Sequence, residues 1–399
     1  MREGWEIKKL GEVCEKITDG THQTPTYFDE GVIFLSSRNV TSGEIDWFNI
    51  KYIDTKQHLE MHKRVAPRLN DILLAKNGTT GVAAIVDREV TFDIYVSLAL
   101  LRPLKSLMPR YLLFFINSPL AKNQFNSRLK GVGVPNLHLN EIREVEIPLP
   151  PLPEQQRIVS ILDEIFAAIA IAKQNAKKNL QNAKELFETY LQSVFERKGE
   201  GWEERTLGDI GKVSMCKRVF KDQTTNSGDI PFYKIGTFGK VPDAFISNEI
   251  YNEFKRKFSF PKEGDVLLSA SGTIGRRVKY DGEPAYFQDS NIVWINNDEK
   301  QVLNDYLYQF YGACNWNSTK GATISRLYND NLNRIEIAFP KSLANQQTIV
   351  HKLDALSFQT KKLESIYQQK LSNLEELKKT ILQKAFAGEL KDIEHAVAV

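Results

Sequence analysis

The chain has 399 residues, more than one ordinary domain holds, and its 42% hydrophobic and 26% charged residues describe a folded globular protein, neither disordered nor fibrous. A net charge of +3 excludes little, because a DNA binder needs clustered Lys and Arg and not a large total. No apolar run reaches the roughly 18–20 residues of a membrane span, and Met1-Arg2-Glu3-Gly4-Trp5-Glu6 has no signal-peptide character. Cys14, Cys216 and Cys314 are distant and odd in number, so neither a disulfide framework nor a zinc knuckle is expected, and a reducing cytoplasm fits best.

In chain order, Gly4-Trp5-Glu6 and Leu10-Gly11-Glu12-Val13 open a segment of short β-type runs at 32–35, 71–74 and 82–86, punctuated by Gly, Asn and Pro. Tyr111, Leu112, Phe115 and Ile116 recur at helical spacing and predict one helix over 109–129. Pro148-Leu149-Pro150-Pro151-Leu152-Pro153 ends this head, since proline at that density continues neither strand nor helix interior. The next segment, 154–197, contains no Pro or Gly. Its apolar residues step by threes and fours through Ile158, Leu162, Ile165, Ile169, Ala172, Ala176, Leu180, Ala183, Phe187, Tyr190 and Val194, the seam of a coiled coil with one stutter near Asn179. At about 1.5 Å per residue the helix runs roughly 60–65 Å.

The chain then starts again. Gly201-Trp202-Glu203 and Leu207-Gly208-Asp209-Ile210 repeat the opening, and Asp265-Val266-Leu267-Leu268 with Gly272-Thr273-Ile274-Gly275 repeats Asp71-Ile72-Leu73-Leu74 with Gly78-Thr79-Thr80-Gly81. A β run at 292–295 and a helix at 304–311 follow, then Gln346-Gln347-Thr348-Ile349-Val350 repeats Gln155-Gln156-Arg157-Ile158-Val159. The second seam runs through Ile349, Leu353, Leu356, Leu363, Tyr367, Leu371, Leu374, Leu377 and Ile381, ending before Gly388. Leu382-Gln383-Lys384-Ala385-Phe386 closes the copy as Leu191-Gln192-Ser193-Val194-Phe195 closed the first. The helical part keeps a constant offset while the heads diverge. That is either a fixed frame carrying two heads that see different things, or drift in an old duplication. A lone amphipathic helix of this length has no partner in its own head, and the reversal at Gly199-Glu200-Gly201 predicts that the two helices pair antiparallel, with a pseudo-twofold axis.

Chemistry-bearing motifs are scarce. His58 and His62 stand four apart, but His58-Leu59-Glu60-Met61-His62 lacks the arrangement of a zinc hydrolase, and no Pro-Cys-x-x-Cys follows to make a deaminase, so both are expected at the surface. The two glycine loops lack the lysine of a phosphate cradle and read as hairpin turns. No metal or cofactor is expected. What remains is polar and basic matter on loops: Ser37, Arg38, Asn39, Lys76, Asn77, Lys130, Asn136 and His138 in the first head, and Lys217, Arg218, Lys255, Lys257, Arg276, Arg277, Lys320, Ser325 and Arg326 in the second. Arg and Lys can bond guanine edges, Asn can bond adenine, and Lys clusters suit phosphates, although each residue alone is equally well a solvated surface group.

Three stretches, duplicated in order, resemble the specificity subunit of type I restriction–modification systems over nearly the whole chain. They are the opening Trp5-Glu6-Ile7-Lys8-Lys9-Leu10-Gly11-Glu12-Val13 with its echo at Trp202, the run from Pro261 through Asp265 to Gly275, and Ile147-Pro148-Leu149-Pro150-Pro151-Leu152-Pro153-Glu154-Gln155-Gln156-Arg157-Ile158-Val159. The second copy departs with Pro340-Lys341-Ser342-Leu343-Ala344-Asn345 where the first is proline-rich, which leaves the start of its helix open. The resemblance implies an α+β protein in which two mixed α/β target-recognition domains (1–153 and 199–344) alternate with two long spacer helices (154–198 and 345–390), before a tail at 391–399. It further implies a non-catalytic subunit without cofactor that reads a bipartite, asymmetric double-stranded DNA target. Two methyltransferase (modification) subunits and restriction (motor-nuclease) subunits would be its partners, with no membrane involved. The competing readings are a self-contained DNA-modifying enzyme and a coiled-coil scaffold that does not touch DNA.

Overall fold

The computed structural model describes residues 4–129, 136–197, 199–314, 316 and 326–390. The backbone divides into two units, Met1–Ala176 with Gln369–Val399, and Lys177–Gln368. Both cuts fall inside long helices, so each unit holds one head with a half of each helix.

In the first unit, strand Glu6–Lys9 pairs antiparallel with Glu146–Leu149 and so ties the two ends of the head together. Four strands form an antiparallel sheet in the order Cys14–Asp19, Leu98–Pro103, Ile72–Ala75, Ala83–Ile85. Lys51–Ile53, Val32–Leu35 and Phe92–Ile94 form a second sheet whose last pair is parallel. The run Ile72–Ala75 is buried throughout, and the two-residue period of a strand sorts it. Ile72 and Leu74 join a core with Tyr111, Leu112 and Phe115, whereas Leu73 and Ala75 join another with Leu35, Phe92 and Ile94. An uninterrupted apolar run is therefore a strand covered on both faces.

The second unit repeats this plan. Its four-stranded sheet runs Gly211–Ser214, Ile292–Asn297, Val266–Ser269, Arg277–Lys279, and its three-stranded sheet runs Phe245–Ile246, Ile230–Tyr233, Tyr286–Phe287. Val266 and Leu268 face Tyr306 and Phe310, while Leu267 faces Phe232, Tyr286 and Trp294.

The single helix expected over 109–129 is two helices, Pro109–Ile116 and Pro119–Arg128. Pro119 has no N–H to donate and disfavours helical backbone at Ser118. Ser118 instead caps the second piece, its Oγ accepting from the Ala121 N–H at 3.3 Å. The expected helix at 304–311 is Asn304–Ala313.

The long helices span Leu152–Glu196 and Leu343–Ala387, each starting about two residues earlier than the proline and apolar pattern placed it. Each is fixed to its head by one fully buried glutamine. The Gln155 side-chain amide donates to Ser106 O and Pro150 O, both at 2.9 Å, while its Oε1 accepts from the Met108 N–H at 2.8 Å. Gln346 does the same with Gln301 O, Pro340 O and the Leu303 N–H.

Within the first unit the helix halves pack antiparallel. As the first helix advances from Arg157 to Lys173, its partners recede from Leu390 to Glu375, with Lys378 over the Phe166 ring between them. Phe386 then closes the head, its ring 5.2 Å from Tyr111 and 5.5 Å from Phe115. In the second unit Phe195 takes the same role against Tyr306 (5.3 Å) and Phe310 (5.5 Å). The first seam is buried or half-buried as read, except that Tyr190 is exposed and Leu191 takes its place. The second departs further: Leu363 and Leu377 are exposed, and the stripe passes through buried Thr360. Thr360 is tolerated there because its hydroxyl donates back to the Leu356 carbonyl at 3.0 Å.

Candidate nucleic-acid interface

In the first head the glycine loop is a hairpin between antiparallel strands Ile72–Ala75 and Ala83–Ile85, with Gly78 and Gly81 at φ +75° and +80°. Its first residues meet the segment at 136–138. Asn77 bridges Asn136, and the Leu137 N–H donates to Lys76 O at 2.9 Å. His138 lies exposed at the start of helix Leu139–Arg143. Ser97 adds a third strand of contacts, its carbonyl accepting from the Lys76 N–H and its hydroxyl from the Ser37 N–H, both at 3.0 Å. The fold therefore brings Ser37, Lys76, Asn77, Asn136 and His138 to one place.

The cluster has a charged floor. Lys76 is buried, with Nζ 3.0 Å from Asp19 Oδ2, and Arg64 bonds the other oxygen at 2.5 Å. Burial alone would raise the Asp19 carboxyl, but Arg64, Lys76 and His22 together hold it below the ordinary carboxylate range. Arg64, Asp19 and His22 were not singled out by sequence, because nothing local links Asp19 to Arg64, 45 residues away, or to Lys76. Asn39 is buried as well. Its Oδ1 accepts from the Ser36 N–H and its amide donates to Asn49 O, which holds the short 3-10 turn Ser37–Val40 and leaves Arg38 exposed on it. Asn77 Oδ1 and Asn136 Oδ1 are buried acceptors without a hydrogen-bond donor among the described residues, an arrangement that costs about 1–3 kcal/mol each until one is supplied.

The second head builds the same place from other residues. The hairpin joins Val266–Ser269 to Arg277–Lys279, and Ser271 bridges Arg326 as Asn77 bridges Asn136. The Leu327 N–H donates to Ala270 O at 2.8 Å, so Ala270 stands where the first head has Lys76. Arg326 also donates to Ser290 O at 3.0 Å, and Arg218 pairs with the neighbouring Asp289 at 2.8 Å. Arg218 and Arg326 thus meet over 289–290, and Lys217, next to Arg218 in sequence, has its Nζ 5.1 Å from the Phe258 ring centre.

The remaining basic residues are placed elsewhere. Lys255 and Lys257 lie on helix Asn248–Lys257, bonded to Tyr251 and Glu253. Arg276 donates to Phe238 O, and Arg277 stacks 4.7 Å from the Tyr308 ring centre, its buried Nε without a partner among the described residues. Burial pulls the Arg277 guanidinium below its usual value. Lys130, Lys320 and Ser325 lie outside the described residues.

His58 and His62, expected at the surface, are half-buried against Asp93, which corrects that reading. The two residues share one helix face, which aims both rings inward. Burial pushes the thiols of Cys14, Cys216 and Cys314 up to about 12, so none is a thiolate nucleophile at neutral pH. Among the described residues no helix is long and apolar enough to cross a membrane.

Residues 2–182 and 199–375 each match the family model described as the type I restriction modification DNA specificity domain. The chain is similar to the putative type I restriction enzyme specificity subunit S.HindORF215P of Haemophilus influenzae, with 48% identity over 60% of this chain and 63% of that relative, under two thirds of its length. It is 22% identical to the StySPI specificity subunit of Salmonella potsdam over 98% of this chain and 90% of that protein. Among solved structures, one described as showing complex assembly and conformational transition of the type I R-M system superposes with a TM-score of 0.78 at 21% identity, covering 98% of this chain and 99% of its own. The HsdS subunit from Thermoanaerobacter tengcongensis gives 0.60 at 21% identity, with 98% of both chains covered. These two likenesses speak to the fold.

Proposed function

Because the chain belongs to the type I restriction–modification DNA specificity family, we propose that its two heads read two different half-sites of one asymmetric double-stranded DNA target. One observation carries this. The same frame, a glycine hairpin bridged by a returning segment, presents Asn77 and Asn136 over the buried Lys76 in one head and Ser271 and Arg326 over the buried Ala270 in the other. Drift would scatter differences over the frame, whereas here the buried glutamines, closing phenylalanines and paired end strands are kept and the loop chemistry changes. Asn suits adenine edges and Arg suits guanine edges in the major groove. The proposed domain limits follow the repeat: recognition domains at 1–153 and 199–344, spacer segments at 154–198 and 345–390 built on the helices Leu152–Glu196 and Leu343–Ala387, and a tail at 391–399.

The chain acts in this reading as a non-catalytic subunit, and the long helices carry the partners. Ile171 and Leu377 in the first unit, and Leu186, Phe358 and Ile366 in the second, are exposed apolar side chains on those helices. They suit the docking of two methyltransferase subunits, with motor-nuclease subunits joining them. The deciding experiment mixes the chain with the methyltransferase encoded beside it, binds a random duplex pool and sequences what is retained. Two unequal specified blocks around a constant gap are expected. One contiguous motif, or none, would defeat the two-headed reading.

A further inference from the structure

His58, His62 and Asp93 form a cluster that DNA reading does not use. His58 and His62 lie four residues apart on helix Thr55–Met61 and its C-terminal cap, which sets their rings on one face, tilted by 52° with centroids 4.7 Å apart. Asp93 is the middle residue of strand Phe92–Ile94, only 1% exposed. Its two carboxylate oxygens lie 2.7 Å from His58 Nδ1 and 2.9 Å from His62 Nδ1. A carboxylate so buried is costly unless groups of opposite charge or hydrogen-bond donors face it, and the ring nitrogens of the two histidines are the groups that do.

The second head shows that the frame does not need this trio. In the first head Asp93 stands opposite Phe34 across the parallel strand pair, and in the second Tyr286 stands opposite Phe232 in the same register. Counting four and eight residues from the helix caps, Asp54 and Ser247, places Tyr251 and Lys255 where the first head has His58 and His62. Those residues bond each other, with Lys255 Nζ 3.0 Å from Tyr251 Oη. Two histidines and a buried carboxylate are therefore particular to the first head.

We propose that His58, His62 and Asp93 bind one divalent transition-metal ion of the zinc class. The ligand atoms all lie within 4.8 Å of one another. A tetrahedral zinc about 2.0–2.2 Å from each would set them roughly 3.3–3.5 Å apart, a small adjustment for side chains already converged. Two imidazole nitrogens and one carboxylate select zinc over calcium or magnesium, which take oxygen ligands. The histidine side chains are 16% and 31% exposed, so water reaches the fourth position. The ion would brace the helix whose exit carries Arg64, the residue that pins Asp19 beneath Lys76.

The test uses the full chain without a histidine tag, stripped with a chelator and titrated with zinc or cobalt(II). Uptake of one equivalent, the visible absorption of a four-coordinate cobalt centre, and a melting temperature raised by about 5–10 °C at a hundredfold excess over Kd are expected. The double variant His58→Gln/His62→Gln should lose all three, while His351→Gln, at an exposed position, keeps them. Because the doubled variant must fold to count, its circular dichroism is compared with that of the metal-free wild type. No uptake by the wild type, or equal uptake by the doubled variant, overturns the site and leaves a metal-free His–Asp–His latch.

Discussion

Gln155 and Gln346 show how much a single side chain can hold. Each fills a buried slot with three hydrogen bonds to backbone groups of the head it follows. Gln155→Leu keeps the volume and strands the Met108 N–H with two carbonyls. The expected cost is about 3 kcal/mol, read as a lower urea midpoint for the first unit and as faster hydrogen exchange near Met108. Gln156→Leu, at an exposed position beside it, should leave both unchanged. Asp19 makes a pH prediction. Its folded carboxyl titrates below the unfolded value of about 3.9, so its contribution is complete above that value and is lost as pH falls through the folded one. Wild-type stability should therefore fall more steeply between pH 5 and pH 3 than that of Asp19→Asn, and parallel slopes would remove Asp19 from the account. Residues were the scale least legible in the sequence. Lys76 and Asn39 looked like surface contacts and are buried, because the partners that bury them, Asp19 and Asn49, lie outside any local window. His58 and His62 were visible as a pair, but Asp93 stands more than thirty residues away, and only the parallel strand pairing brings it in.

At the scale of elements the sequence spoke clearly wherever period and punctuation agreed. The apolar runs became strands buried on both faces, and the glycine loops became hairpins because Gly78, Gly81, Gly272 and Gly275 all need positive φ. The helix over 109–129 failed at Ser118-Pro119, where apolar spacing outweighed a proline that was in plain view. The second seam failed at Leu363 for the converse reason: a threonine that satisfies its own hydroxyl passes as apolar, and a leucine one step aside is left outside. In the proposed reading the bridged hairpin is the element on which specificity turns. Arg326→Ala removes a long donor from the second head alone, and Asn77→Ala removes an amide from the first alone. Each should weaken binding by about 1–3 kcal/mol and relax the base preference in one half of the target while sparing the other. Selection of bound duplexes by each variant would show it. Relaxation of both halves by one substitution would mean that the heads do not read independently.

For the whole molecule the repeat was the most legible feature, since four matched blocks in order are independent of any judgement about single residues. It explains why each head is closed by the phenylalanine of the other copy's helix, Phe386 in the first unit and Phe195 in the second: the paired ends are equivalent under the repeat. It also yields the prediction that depends on the entire chain. If the paired helices set the spacing between half-sites, shortening both must shorten the unread gap. Removing residues 177–180 and 368–371, about one turn from the middle of each helix, takes away roughly 6 Å at 1.5 Å per residue. Against a rise of about 3.4 Å per base pair the gap should contract by about two base pairs, with both specified blocks unchanged. A deletion from one helix alone breaks the seam register and should cost binding without giving a new gap. Duplexes with every gap length, bound by each variant in complex with its methyltransferase, separate the outcomes. An unchanged gap in the doubly shortened chain would show that the spacing is set by the partners, and that the helices serve only to hold them.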